Sequence, residues 1–372
     1  MSDFLGPDCT ADVCQDNTAT RLNFDFEDAG NPGGAAVRIG VIASIAHRTP
    51  PISYGPWEQV ASTLAEGFVA RGHDVTLFAT ANSITAGRLI ARVAEGYEEA
   101  AGVDAKVGEA LHLGEAFARA GEFDIMVNHF DFMPLSYSRL VDTPVVTTIH
   151  GFSSEAIVAV YAAYDDIAHY VAISDADRHP SLTYDATIYH GIDTGAFTFS
   201  PEASDSLLFL GRIHPDKGTH RAIEVARRAG RPLVIAGIIQ DRAYFTEQVE
   251  PHLDQTTVTY VGAVGPDERD RLLGSARALL HLIDFAEPFG LAVVESLATG
   301  TPVIAAPLGS MPELIRDGVT GFLVADDDAA VAAVEQVSGL DRQVCRDDAV
   351  SRFSADRMVQ DHLDLLAGIV AG

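Results

Sequence analysis

Glu287 and Glu295 stand eight residues apart in HLIDFAEPFGLAVVESLATGTP, the stretch from His281 to Pro302. Paired carboxylates do acid–base work in glycoside hydrolysis at separations of roughly 5–9.5 Å. On one continuous helix these two would lie roughly 12 Å apart, at about 1.5 Å per residue. That spacing suits two groups holding a ligand rather than one hydrolytic pair. Arg212 and Lys217 form a second pattern, five apart in GRIHPDKG. On a short loop before a helix, both cations can converge on one anion beside the helix N-terminus. A third pattern is polar residues that close apolar runs: His150 after TPVVTTI and Asn128-His129 after DIMV. Doubly wound sheets place ligand groups at such strand ends.

The elements that must position these groups follow from the apolar spacing. The run Ala278 to Ile283 reads as a strand, breaks at Asp284 to Gly290, and resumes from Leu291 to Ala298 with helical spacing. It stops at Gly300-Thr301-Pro302. The turn sets the backbone N–H groups of Gly290, Leu291 and Ala292 at a helix N-terminus, which attracts negative charge or sugar hydroxyls. Near the start of the chain, VRIGVIASI from Val37 reads as a first strand. The loop HRTPPISYG follows, then a helix from about Pro56 to Arg71 and the strand VTLFA. Further strands are expected at Asp124 to Asn128, Val145 to Ile149 and Tyr170 to Ser174. SPEASDS (200–206) has a linker's composition, and the second half restarts with LLFLG, RIHPDKG and the helix THRAIEVARRAG. LVIAG (233–237), a helix over Arg242 to His252 and VTYVGAVG (258–265) come next. Glu313 reads as a capping or packing residue, Asp326-Asp327-Asp328 as solvated helix-start charge, and FSADRMVQDHLDLLAGIVAG as an amphipathic closing helix.

A chain of 372 residues with 47% hydrophobic content can fill two cores. No apolar run approaches a membrane span. The opening MSDFLGPDCTADV lacks the order of a secretory signal, which points to the cytoplasm. Cys9, Cys14 and Cys345 have no metal-ligand company and read as free thiols. With 25 Lys plus Arg against 53 Asp plus Glu, the net charge is −28. So acidic a surface repels nucleic acid and anionic lipid, so neither is expected as a stable partner. A salt-rich cytoplasm is one origin of such a surface. Only Lys106 and Lys217 are lysines, so retaining Lys at 217 in a chain that otherwise uses Arg hints at a chemical need.

The string EPFGLAVVESLATGTPVIA resembles the Glu-x7-Glu signature of retaining nucleotide-sugar glycosyltransferases with the GT-B fold, in particular family 4 (group 1 type). The likeness covers nearly everything from about Val37 onward and is strongest in the second half. It implies an α/β fold of two Rossmann-like doubly wound domains facing across a cleft. The expected division is a flexible acidic leader at 1–35, an acceptor-side domain at 36–198, a nucleotide-sugar domain at 199–355, and a helix at 356–372 that crosses back. By the same resemblance Glu287, Phe289 and Gly290 meet the donor sugar and Glu295 the ribose. Arg212 and Lys217, in GRIHPDKG, hold the donor diphosphate with Gly290, Leu291 and Gly55. The backbone of Gly262 to Val264 faces the nucleobase, and His150, closing TPVVTTIHG, reaches the donor sugar and acceptor. Arg212, Lys217, Glu287 and His150 would carry catalysis. Gly55-Pro56 stands where the family has Gly-Gly, and proline removes one backbone donor.

The implied reaction is hexosyl transfer from a nucleoside-diphosphate sugar with retention, without a metal or other cofactor. The sequence shows no Asp-x-Asp in a matching loop. Alternatives are an epimerase on the same fold and a catalytically silent nucleotide-sugar binder; a phosphorylase would need a pyridoxal lysine. The donor's base and sugar, the acceptor and the oligomeric state stay open. The segment VDAKVGEALHLGEAFARAGEFD is acidic where relatives acting on membrane lipids often carry a basic helix, which favours a soluble acceptor.

Overall fold

Alternate residues of the second-half strands face opposite ways. Leu208, Leu279, Val303 and Ala305 pack into one hydrophobic core and Leu207, Phe209, Leu280 and Ile304 into another. A sheet apolar on both faces must be covered on both, which a parallel sheet with crossover helices achieves. The computed structural model describes residues 36–52, 55–152 and 154–372. The expected leader at 1–35, with Cys9 and Cys14, and Ser53-Tyr54 of the loop before the first helix lie outside these residues.

The chain divides into two compact units. Of the described residues, one comprises those to Val171 with Ser181–Asp185 and His362–Gly372; the other comprises Ala172–Pro180 and Ala186–Asp361. Segment 186–198 groups with the second, where Ile192 N donates to Phe353 O at 2.9 Å and Ala355 N to Ile192 O at 2.8 Å.

The first sheet contains β1 (Arg38–Ala43), β2 (Asp74–Phe78), β3 (Arg88–Ile90), β4 (Ile125–His129), β5 (Val145–Ile149), β6 (His169–Ala172) and β7 (Ala186–Thr187). Their order is β3-β2-β1-β4-β5-β6-β7, and β1 pairs in parallel with both β2 and β4. Ile42, Phe78, Leu113, Phe117 and Phe123 form a core under one face. His112, on the helix Ala105–Ala118, lies in this unit and is 2% exposed. Burial pushes its pKa down to about 4, and the neutral ring donates Nε2–H to Ala43 O at 3.0 Å.

The second sheet contains β8 (Leu207–Leu210), β9 (Leu233–Ala236), β10 (Val258–Gly262), β11 (Leu279–His281), β12 (Val303–Ala305) and β13 (Gly321–Leu323). The order β10-β9-β8-β11-β12-β13 reverses direction between β8 and β11. The first sheet reverses in the same way between β1 and β4. Such a reversal opens a crevice at the C-terminal strand ends, where doubly wound sheets bind ligands. Helices Leu291–Ala298 and Arg342–Phe353 cover one face of the second sheet, and Thr219–Ala229 and Asp327–Gln336 the other. Each fully buried Leu or Val in these layers contributes about 1.5–3 kcal/mol.

The expected helix over Arg242 to His252 is instead three short turns, Arg242–Tyr244, a π-helical Phe245–Val249 and a 3-10 Glu250–His252. Pro251 explains the break, because its ring removes one N–H and crowds the preceding turn. Asp326 accepts from Ala329 N at 2.9 Å, while Asp327 pairs with Arg221 and Asp328 with Arg228, so the three aspartates do mark a helix start. Among the described residues Cys345 has no disulfide partner, and burial pushes its thiol up to about 12. Among the described residues no helix is long and apolar enough to cross a membrane.

Candidate active site

The loop leaving β8 carries both expected cations. Ile213 continues the β8–β9 pairing past the strands, its N–H donating to Ile238 O at 2.8 Å. Arg212 therefore emerges beside residues 238–240 and donates Nη1–H to Gln240 Oε1. Pro215–Lys217 forms one 3-10 turn that ends at Gly218, φ +70°. A Cβ on Gly218 would lie 1.9 Å from Leu282 O, so only glycine fits this approach to the neighbouring loop. Gly218 also caps the helix Thr219–Ala229, which sets Lys217 at that helix's N-terminus.

Leu282 belongs to the loop leaving β11, and Asp284 N donates to Asp216 O at 2.8 Å, tying the two loops together. Glu287 is not helical but sits in the turn before the helix Leu291–Ala298, so helix rise does not set its distance from Glu295. Three contacts pin that turn. Ser310 N donates to Glu287 O at 3.0 Å, Ser310 Oγ donates to Phe289 O, and Ser174 Oγ donates to Pro288 O at 2.7 Å. Gly309, φ +57°, lies so close that a Cβ would come within 2.4 Å of Glu287 N.

In this setting Lys217 Nζ donates to Glu287 Oε2, with the side chains 12% and 14% exposed. His281 Nε2 stands 3.6 Å from the same oxygen, and the Lys217 ammonium lies 4.5 Å from the Phe285 ring centroid. Burial alone would raise the Glu287 carboxyl, but His281 and Lys217 overcome it and hold the pKa at about 2. The carboxylate is thus a fixed negative charge able to accept hydrogen bonds from hydroxyls.

The other expected donor-side residues are placed differently. The Phe289 side chain is 3% exposed and turned into the core against His190 and Phe353, leaving its backbone at the turn. Gly290, φ +100°, is the N-cap of the helix that Leu291 begins. Glu295 is buried on that helix with Arg269 at 3.2 Å; burial raises its pKa and Arg269 opposes the rise. Gly262 ends β10, and its carbonyl accepts from Gly237 N at 2.8 Å; Val264 packs against the core beyond it. Glu313 accepts from Asp175 N, Ala176 N and the Tyr189 hydroxyl, so it anchors the 174–177 loop.

In the first unit, Gly55 is the N-cap and Pro56 the first residue of the helix Pro56–Ala70, and Gly55 O accepts from Gln59 N at 2.9 Å. Trp57 stacks on His150, ring centroids 5.3 Å apart, and His150 Nε2 lies 2.9 Å from His129 Nδ1. The Asn128 amide donates to Asp131 O and Thr147 and accepts from Phe130 N, which gives it a turn-forming role. Sequence reasoning noted only the backbone N–H of Trp57, not its ring, and missed Gln240, Phe285, Arg269 and His281. Only His281 carried a usable signal, as a polar residue inside an apolar strand.

A family model described as "Glycosyl transferases group 1" matches residues 196–343, and one described as "Glycosyltransferase Family 4" matches residues 57–195. The chain is 26% identical over 358 residues to glycogen synthase of Mycobacterium tuberculosis, covering 81% of this chain and 86% of that protein. It is 31% identical over 202 residues to D-inositol 3-phosphate glycosyltransferase of Mycolicibacterium smegmatis, covering 51% and 46%. Sucrose-phosphate synthase from Thermosynechococcus elongatus shares the fold with a TM-score of 0.73 at 18% identity, over 90% of this chain and 99% of that one. The Anabaena protein HepE, solved with UDP and glucose, gives 0.69 at 18% identity over 89% and 99%. With two Rossmann-like parallel sheets and family models matching both halves, the chain belongs to the group 1 glycosyltransferases of the GT-B fold.

Proposed function

We propose that this glycosyltransferase moves a hexosyl group from a nucleoside-diphosphate sugar to a soluble acceptor, retaining the anomeric configuration, in the cytoplasm. The observation that carries the reading is the meeting of Lys217 and Glu287 at the reversal between β8 and β11, one at a helix N-terminus and one just before another. Residues 36–198 would be the acceptor-side domain, 199–355 the nucleotide-sugar domain and 356–372 the closing helix.

As the glycosidic bond breaks, the leaving diphosphate gains negative charge. Arg212 and Lys217, with the N-terminal N–H groups of Gly290 and Leu291, stabilise that charge in place of a metal. The ionised Glu287 accepts hydrogen bonds from the sugar's hydroxyls, and Glu295 is assigned to the ribose. Gly55 is assigned to the diphosphate, the backbone of Gly262 and Val264 to the nucleobase, and His150 to the reacting sugar. The diphosphate itself takes the acceptor's proton on the face it leaves. Support for the donor class comes from the HepE complex with UDP and glucose, a relative in fold.

A thermal-shift panel of UDP, GDP and ADP sugars tests the donor, and Lys217→Ala should abolish the shift of the best one. Proton NMR of the first product formed then reports the anomeric configuration. An inverted product or an unchanged Lys217→Ala shift contradicts the reading.

A further inference from the structure

His281 closes β11 in a run whose other members, Ala278, Leu279, Leu280, Leu282 and Ile283, are at most 1% exposed. It is itself 6% exposed, and its carbonyl accepts from Ala306 N at 3.2 Å. The ring is a costly choice for such a place, because burying a polar nitrogen is unfavourable unless it gains a partner. Its Nε2 is buried and makes no hydrogen bond among the described residues. That nitrogen points to Glu287 Oε2, 3.6 Å away, too far for a hydrogen bond and close enough to become one after a small shift. The oxygen it faces is the one that Lys217 occupies.

We propose that His281 is a positioning residue for Glu287. On the proposed reading of the site as a nucleotide-sugar site, Lys217 turns from Glu287 toward the donor diphosphate, and His281 Nε2–H closes onto the oxygen Lys217 leaves. The carboxylate then keeps one donor throughout and stays ionised and aimed at the sugar. Without His281, a buried carboxylate deprived of Lys217 would gain a proton from solvent and lose the charge-assisted bonds it offers to hydroxyls. Among the described residues, Lys217 and His281 both face Glu287 Oε2.

The test measures nucleoside-diphosphate release from UDP-, GDP- and ADP-glucose and from GDP-mannose by the full chain, with water or sugars as acceptor. His281→Leu keeps the apolar packing and removes the donor. His281→Gln returns an amide N–H near the position of Nε2, and His281→Asn returns one a bond too short. The expected result is a kcat for His281→Leu lower by about tenfold or more, with a donor KM changed by less than about threefold. His281→Gln should recover most of the loss and His281→Asn little of it. If His281→Leu fails to fold, the Gln and Asn pair decides. A wild-type chain that turns over a donor while His281→Leu matches its kcat, or while Gln and Asn behave alike, overturns this inference alone. A wild-type chain that releases no diphosphate from any of these donors overturns the donor reading along with it.

Discussion

Lys217 Nζ donates to Glu287 Oε2 across 70 residues of chain, at the point where the second sheet reverses direction. Both side chains are nearly shielded from water, so neither has solvent to replace the other as a partner. Removing one partner of such a pair leaves an uncompensated charge, whereas removing both can be close to neutral. Lys217→Met should therefore destabilise the chain by about 3 kcal/mol. Adding Glu287→Gln should recover about 1 kcal/mol or more of that loss. Urea denaturation of the two single variants and the double variant reads the coupling, and strict additivity would mean the pair is not coupled.

Glu287 also sets an acid limit. Its carboxyl titrates at about 2 in the folded chain against 4.5 for the free group. A depressed carboxyl stabilises the fold fully above the unfolded value, and the contribution fades as pH falls from about 4.5 toward 2. Wild-type stability should exceed its own acid value by up to about 3 kcal/mol more than Glu287→Gln does over this range. Parallel stability curves for the two proteins between pH 5 and 2 would refute it.

Asp177 has the opposite sign. Burial, and then the charge of Glu313, push its carboxyl up to about 7, and its Oδ2 is buried with no hydrogen-bond partner among the described residues. A raised carboxyl favours folding below its free value of 3.8, and that preference is lost as pH rises through 7. Asp177→Asn should thus stabilise the chain at pH 8 by about 2 kcal/mol, with the advantage vanishing near pH 4. Because Ser174 Oγ accepts from Asp177 N and donates to Pro288 O, the same variant reports on the turn that holds Glu287.

Gly218→Ala tests the junction of the two site loops. The added methyl would meet Leu282 O at 1.9 Å in a left-handed backbone, so a cost above about 2 kcal/mol is expected. The shift should move Lys217 as well, so donor-induced stabilisation should fall with it. Gly230→Ala is the control: it has a similar φ of +63° but open space around its Cβ, and should leave donor binding intact.

Most strands, the helices at Pro56 and Thr219 and the doubly wound class were legible in the chain itself, because short apolar runs and helical apolar spacing are local properties; β3 and β7 were not. The strand-to-helix turns that carry Arg212, Lys217 and Glu287 were legible too, marked by Gly218, Pro288 and Gly290. Only the tertiary structure decided which groups touch. It paired Lys217 with Glu287, turned Phe289 into the core and Glu295 onto Arg269, stacked Trp57 on His150, and set His281 against a carboxylate six residues onward. Sequence spacing fixes neighbours along a strand or helix, but contact between loops depends on which strands lie side by side. Here β8 and β11 adjoin although β9 and β10 separate them in the chain, and that adjacency brings Lys217 to Glu287.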